Sequence, residues 1–181
     1  MSLVAADLST ANADQLEARA AIKGTWGQVP NLGGVLALSL PLTRAVLAFD
    51  SALRQGSFSG RAAEQLAIAV SQENRCAYCL AAHSAAARAA GLSTDDTAAA
   101  RSGRASDPKT AAALRFAQQV VRARGHVGDR ELADVRAAGW QDSDVVEIVG
   151  HALSTTLSNY LHHISDVPID FPTVSFAEDG A

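Results

Sequence analysis

Apolar residues recur at three- and four-residue intervals along most of the chain, and no stretch carries a convincing strand pattern. The first helix is predicted over 12–25, around Leu16, Ala20 and Ile22, ending near Gly24 and Gly27 with Trp26 anchoring the following turn. Pro30-Asn31 opens a new segment, with Asn31 as N-cap for 32–39. Pro41 restarts a helix that Leu42, Val46, Leu47 and Phe49 carry to about Arg54. Gly56 and Gly60 mark a loop, and Ser59 or Gly60 opens the helix that holds Glu64 and buries Leu66, Ile68 and Val70. Asn74-Arg75 breaks the pattern and places Cys76 in the first turn of the next helix, which runs to Ala90 before Gly91.

Ser93 to Asp96 resembles a capping box and opens a short helix to about residue 101. Asp107-Pro108 is an N-cap followed by Pro at N1, and it starts a helix through Leu114, Phe116, Val120 and Val121 to Gly125. A short helix spans Asp129 to Ala138 before Gly139. Asp142 or Ser143 caps the last, from Val145 to about Ile164. From Asp166 two prolines and no helical period predict an extended tail, on the surface or on a neighbouring subunit. The expected fold is all-α, one compact domain of about eight helices across 1–181, with a core over about 29–165 and a tail over 166–181.

The composition fits this outline: 48% of 181 residues are hydrophobic, few are aromatic and many are alanine, which allows close helix packing. The net charge of −4 and dispersed arginines give no phosphate-tracking surface, so nucleic acid is not an expected partner. No run approaches about 18 apolar residues, and no membrane span is expected. The first residues lack the pattern of a signal peptide, and two cysteines in such a chain point to a reducing cytoplasm.

Both cysteines lie in one stretch, Glu64 to His83. On a helix, Cys79 and His83 are i,i+4 neighbours and Cys76 and Cys79 are i,i+3 neighbours on the same face. Peroxide reduction needs such a set: an attacking thiolate, a thiol to resolve its sulfenic acid, and a group that moves protons. Cys79, one turn from His83, is the expected peroxidatic residue, with Cys76 resolving. The opposite order has its own argument, because Cys76 lies nearer the positive end of the helix dipole. Helical i,i+3 Cβ atoms are roughly 5–6 Å apart, and a disulfide needs about 3.5–4.5 Å. The first turn must therefore tighten or fray on oxidation, and the bridge should be easily reduced.

Glu64 is either a solvated helix residue or, facing His83 across the helix pair, the group that orients the imidazole and relays protons. Tyr78 falls away from the cysteine face, as packing or pocket wall, and His151 on the last helix is a possible pocket residue. His162 and His163 are expected in structural or surface roles, Asn159 as a cap or subunit contact, and Trp26 and Trp140 as anchors. A zinc module is the competing class. It would draw ligands from Cys76, Cys79 and His83, with a fourth from Glu64 or an isolated histidine. Covalent haem is excluded, because Leu80 follows the second cysteine.

The set Glu64, Cys76-Ala-Tyr-Cys79 and His83 resembles the signature of the AhpD-like alkylhydroperoxidases, within the carboxymuconolactone decarboxylase family. AhpD proteins proper usually carry histidine before the second cysteine; Tyr78 stands there, as in many peroxidase-related members. Pro30-Asn31, Gly91-Leu-Ser and Ala138-Gly139 followed by Val145-Val-Glu-Ile extend the likeness over roughly 29–172. The resemblance implies the orienting and relaying role for Glu64, and a thiol-dependent peroxidase acting on hydrogen peroxide or organic hydroperoxides without metal, haem or flavin. It also implies electrons from a lipoyl-bearing protein or another dithiol donor, and a homo-oligomer, trimer or hexamer. A general thiol-disulfide oxidoreductase would use the same residues. The family's lactone decarboxylases lack the cysteine pair.

Overall fold

A computed structural model describes residues 2–5, 7, 9–58 and 60–177. Among the described residues there are nine helices and no strand, one for each of the nine segments read from the periodicity and close to the expected total of about eight. They are α1 (Ala13–Trp26), α2 (Asn31–Leu36), α3 (Leu40–Leu53), α4 (Gly60–Glu73), α5 (Ala77–Ala89), α6 (Thr94–Arg101), α7 (Pro108–Arg122), α8 (Asp129–Ala137) and α9 (Asp142–Ser165). None is long and apolar enough to cross a membrane.

The packing centre is α4, which touches α5, α6, α7 and α9. Every residue from Gln65 to Gln72 is buried, so the helix shows no single wet face. Leu66, Ile68 and Val70 join Leu80, Leu114, Phe116 and Ile148 in the main core. Phe58 and Trp140 close one end of it, stacked with ring centroids 4.9 Å apart. The indole N–H of Trp140 donates to the Lys109 carbonyl at 2.8 Å, so the expected anchor is held at both its faces and its edge.

Most of the predicted caps form. Asp107 accepts from the Lys109 and Thr110 backbone N–H groups, and Ser93 and Asp96 bond reciprocally. Four expectations change. Ala18 and Ile22, not Leu16 and Ala20, are the buried positions of α1, because α3 and α2 meet its other stripe. Trp26 is the last residue of α1, and Gly27 is its left-handed cap. Pro30, not Asn31, stands at the N-cap of α2; Asn31, still exposed, bonds the C-terminal tail instead. Gln141, not Asp142 or Ser143, precedes α9, with its N–H donating to Asp144. Ser59, the alternative start of α4, lies outside the described residues.

Helix α9 has an unusual division of faces. Ser154, Thr155, Ser158 and Asn159 turn toward α3, α4 and α5, and Val146, Leu153, Tyr160 and Ile164 are exposed. The tail after α9 is extended as expected, and it lies over its own chain.

Gly91 ends α5 as expected, at φ +90°. Its N–H bonds the Arg88 carbonyl and the Leu92 N–H reaches back to Ala87, a Schellman closure. A Cβ at Gly91 would also stand 2.9 Å from the Arg61 guanidinium, which bonds the Ala90 carbonyl. Gly91→Ala is expected to cost roughly 1–2 kcal/mol, read as a lowered midpoint in denaturant titration.

Candidate active site

The cysteine loop is a single turn shared by two helices. Arg75 adopts φ +56°, its N–H bonds the Gln72 carbonyl, and the Cys76 N–H bonds Ser71 at 2.9 Å. This is a Schellman stop for α4, built on arginine where glycine is usual. Cys76 is at the same time the N-cap of α5, in extended conformation. The expectation that Cys76 sits in the first helical turn is thereby corrected. Its sulfur folds back over that turn and accepts the Cys79 N–H at 3.4 Å.

Both cysteines are free and buried, Cys76 completely and Cys79 to within 2%. They are chemically unequal. A hydrogen bond donated by Cys76 draws the Cys79 thiol down to about 7; burial opposes this, and His83, Asn159 and Ser158 assist it. The same bond, with burial, pushes the Cys76 thiol well above the ordinary range. The two directions are opposite: Cys79 is the thiol more readily ionised and Cys76 the one that holds its proton.

His83 and Glu64 face each other from α5 and α4, with imidazole Nδ1 2.8 Å from a carboxylate oxygen. Burial works against charge on the ring, but the Glu64 bond and charge outweigh it, and the imidazole is held above its usual value. Burial likewise works against charge on Glu64, and the His83 bond carries it below its usual value. With Nδ1 committed to Glu64, Nε2 is the nitrogen left for chemistry. Glu64, Cys79 and His83 line one cavity of about 690 Å³, bounded by α1, α2, α3, α4, α5 and α9. Exposed Thr25, Gln28 and Arg54 are among its lining residues, so it reaches solvent. Part of its wall is apolar, with Leu32, Leu36 and Val46.

Tyr78 is buried, as packing and pocket wall. Its hydroxyl accepts the Leu32 N–H and donates to Asp170 at 2.6 Å. His151 also lines the cavity; it packs on Phe58, and burial holds its imidazole below the usual value. His162 is buried against Tyr78, and His163 is exposed beside Tyr160. Asn159 contradicts its expected role at a cap or subunit contact. It is fully buried, donating to Ser71 and accepting from Asn74 at 2.8 Å, so it pins the loop before Cys76. Ser158, which sequence reasoning missed, has its hydroxyl 3.7 Å from the Cys79 sulfur. The run of small polar residues from Ser154 to Asn159, inside an otherwise amphipathic helix, is the signal that marks it. No group of three or more His, Cys, Asp or Glu side chains is placed to hold a metal among the described residues, which leaves the zinc alternative without a ligand set.

Residues 41–123 match the model of the carboxymuconolactone decarboxylase family. Among solved structures, a peroxidase-related protein from Ralstonia eutropha JMP134, described as an alkylhydroperoxidase AhpD core, superposes with a TM-score of 0.78 at 24% identity, covering 92% of this chain and 90% of that one. A peroxidase-related protein from Silicibacter sp. TM1040 gives 0.75 at 22% identity, covering 96% and 93%. The debrominase Bmp8, in complex with 2,3,4-tribromopyrrole, gives 0.75 at 18% identity, covering 93% and 91%. These likenesses establish the fold, and the differing names show that chemistry must be argued from the site. No curated protein sequence matches the chain.

Proposed function

We propose that the chain is an AhpD-like member of the carboxymuconolactone decarboxylase family, whose model matches residues 41–123, and that it is a thiol-dependent peroxidase working through Cys79 and Cys76. The observation that carries this reading is the unequal placement of the two sulfurs: Cys79 lines the cavity that Glu64 and His83 also line, and Cys76 does not, while the bond from Cys76 and the charge of His83 draw the Cys79 thiol down to about 7. At neutral pH about half of such a thiol is ionised, against a few per cent of an ordinary one.

The Cys79 thiolate attacks the distal peroxide oxygen. The O–O bond breaks, the sulfur becomes a sulfenic acid, and the leaving alkoxide or hydroxide takes a proton from His83, which Glu64 keeps supplied and oriented. Cys76 then attacks the sulfenic sulfur. A disulfide forms, and the hydroxyl leaves as water with the proton Cys76 gives up. A dithiol, such as a lipoyl arm, returns two electrons by exchange. The cysteines' burial favours this reading over general protein disulfide exchange: a hydroperoxide fits the cavity, whereas a folded protein's disulfide cannot reach sulfurs so little exposed.

The test is turnover of cumene hydroperoxide with dihydrolipoamide, followed beside turnover of a disulfide acceptor. The expected result is one dithiol oxidised per hydroperoxide consumed, with the disulfide acceptor much slower. Faster turnover of the disulfide acceptor would replace peroxidase by oxidoreductase.

A further inference from the structure

The tail that follows α9 closes over the cysteine site through named contacts. The His162 Nε2 lies 3.3 Å from the Val167 carbonyl. The Asn31 side chain donates to the Pro168 carbonyl at 3.0 Å, and its backbone N–H donates to the Asp170 carboxylate at 2.8 Å. The other Asp170 oxygen takes the Tyr78 hydroxyl. Phe171 packs edge-on to Tyr78 at 5.6 Å. Val167, Ile169 and Phe171 together lie on the small apolar cluster of Leu32, Val35, Cys76, Tyr78 and Cys79. Further on, Arg75 stacks over Phe176 at 4.6 Å and Gln72 exchanges two hydrogen bonds with Ala177. The tail therefore clasps the loop before Cys76 as well as the tyrosine after it.

The two sulfurs are reached differently. Cys79 is in the cavity wall, while Cys76 is not and has no exposed surface. Reduction of a Cys76–Cys79 bridge asks for the reverse. Exchange runs in line: a thiolate attacks one sulfur and the other leaves with the electron pair. The better leaving group is the sulfur more stable as thiolate, which is Cys79, beside His83 and Ser158. Attack is thus directed to Cys76, the sulfur the cavity does not offer.

We infer that residues 167–171 form a latched strap over Cys76, with Phe171 at its end also in the cavity wall: the dithiol reductant reaches Cys76 when the strap opens, while peroxide enters the cavity from its open side at Thr25, Gln28 and Arg54. The inference rests on the peroxidase reading for its biological purpose; the strap itself is a statement about access. Opening breaks the Asp170 bonds to Tyr78 and Asn31. The dithiol's thiolate then attacks the Cys76 sulfur, the S–S bond breaks and Cys79 leaves as thiolate. The second thiol of the dithiol displaces Cys76, which takes up a proton. The exposed Asp170 is the positioning residue of this arrangement, because it ties the strap to both α2 and α5.

The experiment uses the full chain in two arms. In a Cys79→Ser background, labelling of Cys76 by a maleimide is expected to be slow, and about tenfold faster after Asp170→Ala or Tyr78→Phe, the effect of losing one charge-assisted hydrogen bond. This arm involves no peroxide, so it stands or falls apart from the peroxidase reading. With both cysteines present, Asp170→Ala is expected to speed reduction of the oxidised protein by dithiothreitol by a similar factor and to leave the single-turnover rate of peroxide oxidation within about twofold. Cys76 labelling at the same rate with and without the latch would overturn the inference. So would an equal acceleration of the peroxide step, which would make the strap a general cover.

Discussion

Cys79→Ser is expected to lower hydroperoxide turnover by roughly a thousandfold or more, because an alcohol near neutral pH supplies almost no anion to attack the O–O bond. Cys76→Ser should behave differently. Its Cys79 still faces the cavity with His83 and Ser158 in place. Peroxide should therefore be consumed to about one equivalent per chain, leaving a sulfenic acid on Cys79, and then stop. A sulfenate trap followed by mass mapping reads both results. Trapped label on Cys76 in the Cys79→Ser protein, with sustained turnover, would reverse the assignment in favour of the cysteine at the helix start. The geometry already argues against that order. Cys76 is the N-cap, where the dipole favours a thiolate, yet its sulfur accepts the Cys79 N–H, and its thiol keeps its proton and donates it as a hydrogen bond toward Cys79. Its lack of exposure removes it from any substrate in the cavity.

The parts of the site that were legible in the sequence are those held by local rules. Glu64, Cys76, Cys79 and His83 fall within twenty residues, on two helices joined by one turn, so spacing alone brings them near one another. The stop after α4 was legible too, although not that Arg75 would take the left-handed position and push Cys76 out to the cap. What spacing does not carry is the contribution of distant chain. Ser158 and Asn159 reach the cysteine loop because α9 packs on α4 and α5, a consequence of which faces bury the most area. Asn159 was expected at a cap or subunit contact for that reason: polar side chains inside a helix are usually wet, and here Ser71 and Asn74 satisfy it instead. The tail has the same history. Two prolines announce an extended segment, but its course over Tyr78 and Asn31 depends on a hydroxyl and a backbone N–H donated from elsewhere in the fold.

His83→Gln should produce the next largest loss, about a hundredfold or more in kcat/KM for hydroperoxide, the usual contribution of a positioned proton donor. Its pH profile separates two causes. In the wild type the rising limb reports the Cys79 thiolate and should turn near pH 7. The falling limb reports loss of the His83 proton and lies above the ordinary histidine value, since the Glu64 bond outweighs burial. Removing the ring deletes the falling limb. It also takes away a positive charge near Cys79, so the rising limb should move upward. Glu64→Gln keeps an oxygen able to accept the Nδ1 hydrogen but loses the charge, so the falling limb moves down and the rate drops less than in His83→Gln. Cys76→Ala isolates the sulfur's own partner. Without that proton donor the Cys79 value rises toward an ordinary thiol's, and alkylation by iodoacetamide at pH 7 should slow roughly tenfold, with the difference vanishing as pH approaches about 9–10. Cys76→Ser retains a donor and should fall between the two. Identical alkylation profiles in wild type and Cys76→Ala would mean that the thiolate is stabilised by His83 and Ser158 alone, and that the neighbouring thiol serves only to resolve.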